Sequence, residues 1–244
     1  MAVFMIFLKA HLIFAGPMED LQNSLQVDSW GNPYPCSWPG VYCDWDDEVT
    51  SIALSGLTFS GSIIPENIFI NLIKLEYFSA VNTLNLNNTF TLPKDLCSAN
   101  SLIHFEIFNF TLDTFPFQLT QCSKLQVLHL TFCSIVSTLP DFTNLSNLKI
   151  LELNHNNFTG VIPANLGSLQ YLEVVHLFNN KLTGNLPTFV SKVLEVLDVR
   201  ENLLDGTVND DLFSKASGLY FGFDGNLLTV PDLCKEIPFC VYVK

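Results

Sequence analysis

The chain has 244 residues, of which 48% are hydrophobic and only 14% are charged. So much apolar surface excludes a disordered chain, because it would collapse in water. The net charge of −13, with a single arginine, excludes a nucleic-acid binder, which needs a dense cationic surface.

The first sixteen residues, MAVFMIFLKAHLIFAG, are almost wholly apolar and differ from the rest of the chain. The apolar core from Ala2 to Leu8 and the small pair Ala15-Gly16 are features of a cleaved secretory signal. A basic start is missing, however, and Lys9 comes late. We interpret residues 1–16 as a possible signal peptide, with a wrongly started gene as the alternative. After this segment no apolar run reaches the length of about 18 residues that spans a membrane.

Residues 49–230 repeat the pattern LxxLxLxxNxLxGxIP, most clearly at 148–169 and 172–190. The ninth position of the pattern is occupied in turn by Leu57, Phe110, Cys133, Asn156, Asn180, Asn202 and Asn226. The last six of these are 22 to 24 residues apart, and the longer gap after Leu57 leaves room for one more unit near Leu75–Pro93. The sequence therefore predicts about eight repeats, with the register of the second one open.

The positions of the leucines and of the ninth residue predict a stacked fold. The two central leucines point to one side of a short strand, and a single unit is too small to bury them, so units stack into a continuous core. The ninth residue should bond the backbone where the chain leaves the strand, which Asn and the small donor Cys133 can do and Leu57 and Phe110 cannot. We predict an α/β leucine-rich-repeat solenoid, a right-handed curved superhelix with a parallel sheet on its concave face and less regular early repeats.

The start of the solenoid carries the motifs Ser29-Trp30, Cys36, Trp38, Gly40-Val41, Cys43 and Val49-Thr50, and GxIP-like segments recur at Gly61, Gly160 and Gly184. These motifs resemble the cap and repeats of plant-type extracellular leucine-rich-repeat proteins, such as receptor-like protein ectodomains and polygalacturonase inhibitors. The resemblance implies an N-terminal cap over 17–48, repeats over 49–230 and a C-terminal cap over 231–244. It also implies ligand contacts on the concave or flank surface and no catalytic residues.

Two cysteine pairs bracket short segments, one in each cap: Cys36 with Cys43, and Cys234 with Cys240. The cap resemblance implies that each pair forms a disulfide. Zinc is the alternative, but the spacing differs from that of zinc ligands and no histidine is nearby. Disulfides would place the protein in an oxidising compartment.

The remaining cysteines leave alternatives open. Cys97 and Cys122 lie in adjacent repeats and are either a third disulfide or two free thiols, whereas Cys133 is expected to be buried and unreactive. Four sequons are candidate glycosylation sites: Asn87, Asn109, Asn144 and Asn157. The pattern places Asn144 and Asn157 on exposed surface and Asn109 on the concave side.

The outward strand positions of the repeats form the candidate binding surface. They are Glu106, His129, Glu152, His176 and Asp198 at position five, with Phe108, Phe132, His155, Phe178 and Arg200 at positions seven and eight. Exposed Phe and Arg are typical of contact surfaces, although a Phe-rich chain also exposes some Phe by chance. The position-five residues should form a ladder in which each histidine lies between two carboxylates, which would favour the charged imidazole and pH-dependent binding.

Enzyme motifs are absent, and no metal site or cofactor is expected. The acidic run Asp46-Asp47-Glu48 is interpreted as a solvated turn. We expect a non-enzymatic, secreted or cell-surface recognition module that binds a protein, peptide or glycan through its concave face, as a receptor-like ectodomain, inhibitor or decoy. The alternative is a structural cell-wall or matrix protein without a discrete ligand.

Overall fold

The computed structural model describes residues 16–57, 63–82, 89–98, 100–215 and 220–241. Within them the strands are β1 Val41–Cys43, β2 Val49–Ala53, β3 Tyr77–Val81, β4 His104–Phe108, β5 Val127–Thr131, β6 Ile150–Glu152, β7 Thr159–Val161, β8 Val174–His176, β9 Lys181–Asn185, β10 Val196–Asp198, β11 Leu203–Asp205, β12 Tyr220–Gly222 and β13 Cys240–Val241. The α-helices are α1, whose described part is 16–25, α2 Ile68–Asn71, α3 Ala164–Gly167 and α4 Asp211–Lys215. Short 3-10 helices cover Pro35–Ser37, Phe117–Gln121 and Asp232–Glu236.

One long sheet runs through the molecule in the order β1-β2-β3-β4-β5-β6-β8-β10-β12-β13. From β2 to β13 all neighbours are parallel, and only β1 is antiparallel to β2. The eight strands from β2 to β12 each belong to one repeat, which confirms the predicted solenoid. The antiparallel β1 covers the open edge at the N-terminal end of the sheet.

The second repeat, whose register the sequence left open, supplies β3. Its Phe78 and Ala80 are fully buried, and Ser79 pairs with Glu106 on β4. The strand therefore follows the common pattern with Phe78 and Ala80 in place of the two leucines. The ninth position of this repeat falls at residue 83, outside the described residues.

A smaller parallel sheet has the order β11-β9-β7. In each of these later repeats its strand follows the strand of the long sheet along the chain. The chain turns within the smaller sheet at Gly160, Gly184 and Gly206, whose φ values of +76°, +74° and +81° suit glycine. In the early repeats the described residues form only isolated bridges there, such as Ile63 with Thr91. In this second sheet the described part of the early repeats is thus less regular than that of the later ones.

The asparagines of the ninth-position column are buried or partly buried beneath the sheet and bond the turning backbone. Asn202 Nδ2 donates to the carbonyls of Leu177, Val199 and Arg200 at 3.0–3.2 Å, while its Oδ1 accepts from the Leu182 amide at 3.0 Å. The first of these carbonyls belongs to the preceding repeat, so each asparagine also joins two repeats. Asn156, Asn180 and Asn226 make the same kind of bonds.

Cys133 occupies this column in the fourth repeat and acts as the predicted small donor. Its Sγ lies 3.4 Å from the Ile107 carbonyl and 3.3 Å from the Thr131 carbonyl, which are the counterparts of two asparagine acceptors. Burial raises the pKa of the thiol to about 12. The nucleophilic thiolate is therefore scarce at neutral pH.

The other six cysteines form disulfides. Cys36 is bonded to Cys43 and Cys234 to Cys240, with Cα atoms 5.7 and 5.5 Å apart. The pair that the sequence left open is a third disulfide, Cys97–Cys122, which joins adjacent repeats across 5.0 Å between Cα atoms.

The N-terminal cap packs on the open end of the core. Its α1 buries Met18, Leu21 and Leu25, and the rings of Trp30 and Trp38 stack with centroids 4.9 Å apart. Each fully buried leucine of this kind contributes about 1.5–3 kcal/mol relative to an exposed one. Among the described residues, no helix combines the length and the apolarity needed to cross a membrane.

Candidate binding site on the concave face

The five position-five residues lie side by side on neighbouring parallel strands, as the repeat spacing predicts. The strand register pairs Glu106 with His129, His129 with Glu152, Glu152 with His176, and His176 with Asp198. We call this row the acid–histidine ladder. Its first four side chains are about one-fifth to one-third exposed, so they line the surface without projecting far into solvent.

His129 lies between two carboxylates. Its Nδ1 is 3.9 Å from Glu106 Oε1, and its Nε2 is 3.8 Å from Glu152 Oε2. His176 Nδ1 lies 3.3 Å from Glu152 Oε1. An imidazole can donate from both nitrogens only when it is protonated, so the pairs are strongest in the charged form.

The histidines in turn stabilise the ionised carboxylates. His104 and His129, together with a 2.6 Å hydrogen bond from the Ser79 hydroxyl, hold the pKa of Glu106 well below its usual range. His176 likewise lowers the pKa of Glu152. The centre of the concave face therefore keeps its negative charge down to acidic pH.

The last member of the ladder, Asp198, also bonds a residue outside the ladder. Asp198 is 3% exposed, and its carboxylate accepts three hydrogen bonds of 2.7–3.1 Å from the Arg200 guanidinium. Gly222 on the next strand leaves room for this pair, because a Cβ there would lie 2.7 Å from Asp198 Oδ1. Asp198 is thus the strand neighbour that the ladder predicts for His176, but Arg200 engages its carboxylate, and the effect of Asp198 on His176 stays a prediction.

Side chains from positions seven and eight form a continuous row beside the ladder, which we call the aromatic stripe. Its members are Phe108, Phe132, His155, Phe178, Arg200 and, from position three of the last repeat, Tyr220. Successive ring centroids from Phe108 to Phe178 are 5.6, 4.0 and 5.0 Å apart. The Arg200 guanidinium lies 5.6 Å from the Phe178 centroid and 5.5 Å from that of Tyr220, so it extends the row as a cation–π contact.

Position eight holds the backbone in the left-handed region in successive repeats. There φ is +59° at Asn109, +56° at Phe132, +55° at His155, +56° at Asn179 and +52° at Glu201. Asn tolerates this conformation, whereas a bulky residue such as Phe pays about 1–2 kcal/mol for it. The stripe thus presents Phe132, which is 45% exposed, at a conformational cost.

Asn154 lies on the floor between the ladder and the stripe. It is only 7% exposed, and its Oδ1 has no hydrogen-bond partner in the described part of the chain. Burial lowers the pKa of the neighbouring His155, which keeps that stripe ring uncharged near neutral pH. The floor therefore offers an unused acceptor beside uncharged rings.

Comparison with known proteins places these features in a family. The Leucine Rich Repeat family model matches residues 147–169. The kinase CEPR1 of Arabidopsis thaliana is 28% identical over 179 residues, which cover 72% of this chain and 16% of that protein. Receptor-like protein 18 of Arabidopsis thaliana is 36% identical over 142 residues, which cover 57% of this chain and 14% of that protein.

Solved structures agree over nearly the whole chain. The LRR ectodomain of the Arabidopsis thaliana receptor kinase GASSHO1/SCHENGEN3, in complex with CASPARIAN STRIP INTEGRITY FACTOR 2, has a TM-score of 0.77 at 26% identity, covering 95% of this chain and 29% of that one. The PEPR1–AtPEP1 structure has a TM-score of 0.74 at 25% identity, covering 93% and 34%. The chain is a leucine-rich-repeat protein that is similar to the ectodomains of plant receptor-like proteins and receptor kinases. It spans less than a third of the length of the two curated relatives named above.

The sequence missed three site residues of this leucine-rich-repeat protein, all at position three. They are Tyr77, whose ring stacks on His104 at 4.3 Å, His104 itself, and Tyr220. The sequence contains a pattern that could have identified them. The four repeats between His104 and Tyr220 carry only Val or Ile at position three, so aromatic side chains at that position stand out.

The sequons differ in their surroundings. Asn144 is exposed, as expected, whereas Asn157 is only partly exposed. Asn109 Nδ2 donates to the Asn82 carbonyl at 3.0 Å. Asn87 lies outside the described residues, as does the predicted signal segment up to residue 15, and both remain predictions.

Proposed function

We propose that this chain is a non-enzymatic extracellular recognition module that binds an extended peptide across its concave face. The observation that carries the proposal is the aromatic stripe, an unbroken row of ring and guanidinium contacts on the outward side of six neighbouring strands. Adjacent strands are about 4.8 Å apart, so the row is about 24 Å long. An extended peptide of about seven residues has that length.

The chemistry of the face fits such a ligand. Rings supply contact area at a low cost in conformational entropy, and the ladder supplies acceptors beside them. The left-handed backbone at Phe132 adds to the argument, since strained residues are maintained where the side chain has a role. In support, the similar GASSHO1 structure is a complex with CASPARIAN STRIP INTEGRITY FACTOR 2, and the similar PEPR1 structure is that of PEPR1–AtPEP1.

The experiment uses the full chain secreted from a eukaryotic cell. Disulfide-bonded product in the medium supports the extracellular assignment, and a product retained in the cytosol contradicts it. The purified protein is then incubated with an array of randomised synthetic peptides. We expect Phe132→Ala and Phe178→Ala to lower capture at least about tenfold, as is common for central aromatic anchors.

Phe117→Ala is the matched control, because Phe117 is 50% exposed in a 3-10 helix away from the stripe. Equal loss in all three variants, or no capture of any peptide by the wild type, would contradict the proposal. The second of these outcomes would favour a structural matrix protein without a discrete ligand.

A further inference from the structure

Asn154 on the concave face carries an acceptor atom that has no hydrogen-bond partner in the described part of the chain. Asn154 sits at position seven, two residues after the end of β6, and is more than nine-tenths buried. Its Oδ1 finds no partner among the described residues. An unpaired buried acceptor is costly, so a fold that keeps one is improved by a ligand that donates to it.

The backbone places this amide between two different surfaces. In the position-seven column its neighbours are Thr131 and Phe178, since Phe132 N donates to the Asn154 carbonyl and His155 N to the Phe178 carbonyl. Two residues earlier in the chain lies Glu152, the last residue of β6, which the alternation of an extended chain places on the same face. The site therefore has an amide oxygen at its floor, a carboxylate on one side and rings on the other.

Carboxylate acceptors are concentrated at this place. Glu152 contacts His176 at 3.3 Å and faces His129 at 3.8 Å, but a carboxylate offers about four lone-pair sites and keeps capacity for a further donor. Glu106 adds a second carboxylate one strand beyond His129. An anionic ligand group would meet repulsion here, whereas a cation would gain from both carboxylates and from the net charge of −13.

We infer that this site, formed by Glu152, Asn154, Phe132 and Phe178, takes a basic side chain of the bound peptide, a lysine ammonium or an arginine guanidinium. Both groups are pure donors and match these acceptors. The molecule already shows such packing, since the Arg200 guanidinium lies over the Phe178 ring. The inference rests on the proposed peptide-binding function and specifies its ligand.

The test uses randomised hexapeptides with one fixed position carrying arginine, lysine, citrulline or glutamine. Citrulline has nearly the shape of arginine without its charge. We expect the wild-type chain to capture the arginine and lysine pools at least about tenfold more than the two neutral pools, as for a charge-assisted hydrogen bond. In Glu152→Gln and Asn154→Leu this ratio should fall close to one.

Glu173→Gln is the matched control, because it removes the same charge at a strand edge, where Glu173 lies 4.0 Å from Lys149. Its arginine preference should persist. An equal fall in Glu173→Gln would show diffuse charge attraction and overturn the inference. Equal capture of arginine and citrulline pools would overturn it too, while leaving the peptide-binding proposal intact; no capture of any pool overturns both.

Asn154→Leu also separates binding from folding. Replacing an unpaired polar group by an apolar one of similar shape is close to neutral for stability. We therefore expect an unchanged or raised melting temperature together with the lost arginine preference. A marked drop in melting temperature would show that Asn154 has a structural role and overturn its assignment to the site.

Discussion

The ninth-position column and the concave face lie one residue apart along the chain, yet they differ in how far their polar side chains are hydrogen-bonded. Asn156 accepts from the amides of Cys133 and Ile135 and donates to three carbonyls. Its neighbour His155 sits in the left-handed backbone region, and Asn154 leaves an acceptor unused. The four asparagines of the column use both the oxygen and the nitrogen of their amides, whereas the face bears strain and an acceptor without a partner among the described residues.

This difference separates the residues that hold the fold from those available for binding. Substitutions in the column should mainly change stability, because each one leaves buried backbone groups without a hydrogen-bond partner. Substitutions on the face should mainly change capture of a ligand, since the fold gains little from the residues there. The following experiments test the two halves of this statement, beginning with the column.

The largest effect is expected for Asn202→Ala. Four hydrogen bonds disappear, and buried carbonyls of two repeats lose a donor. At about 1 kcal/mol for each bond, the free energy of unfolding should fall by about 4 kcal/mol, as measured by denaturant unfolding. Cys133→Asn is the control, since Asn suits this column and should retain stability; a loss below about 1 kcal/mol for Asn202→Ala would contradict the argument.

The next effect concerns the early end of the column, where Leu57 cannot bond the turn and a disulfide constrains the cap. Cys36→Ser should lower the free energy of unfolding by about 2–4 kcal/mol, because the Cys36–Cys43 bond restrains the unfolded chain. Calorimetry of the oxidised protein measures the change. Mass mapping that finds both thiols free in the wild type would refute this prediction.

A smaller effect is expected from the ladder in acid. The pKa of Glu106 is lower in the folded chain than in the unfolded one, because of His104, His129 and Ser79. Its stabilisation is therefore complete above the unfolded value of about 4.3 and is lost as the pH falls through the folded value. Glu106→Gln should cost about 1 kcal/mol near neutral pH, after allowance for partial exposure, and less near pH 3. Urea unfolding of the wild type and the variant at the two pH values measures this difference in the free energy of unfolding. A difference that does not change with pH would contradict the proposed interactions within the ladder.

The smallest effect is expected at Phe132, where φ is +56°. Phe132→Asn and Phe132→Ala should both stay within about 1 kcal/mol of the wild type, since the ring is a surface group. Asn tolerates the left-handed region better than Ala, so Phe132→Asn should be the more stable variant by about 0.5–1 kcal/mol. Parallel melting curves compare the two, and an Ala variant at least as stable as the Asn variant would refute the strain argument.

Periodic features could be predicted from the sequence, and features that depend on contacts between repeats could not. The spacing of leucines and asparagines determines which residues face outward, so the row from Glu106 to Asp198 was predictable. The turn of Asp198 toward Arg200 was not, because it depends on the absent side chain of Gly222 one strand away. The strand in the second repeat was hidden because Phe78 and Ala80 replace its leucines.

The way each asparagine bonds across a repeat boundary has a consequence for how the protein can vary. Asn202 donates to Leu177 of the preceding repeat, Asn226 donates to Val199, and Asn180 donates to Leu153, always through equivalent atoms. A whole unit such as residues 172–193 could therefore be removed or duplicated, and the flanking units would meet with the same bonds. The length of the groove can thus change in steps of one strand, about 4.8 Å, while the architecture stays the same.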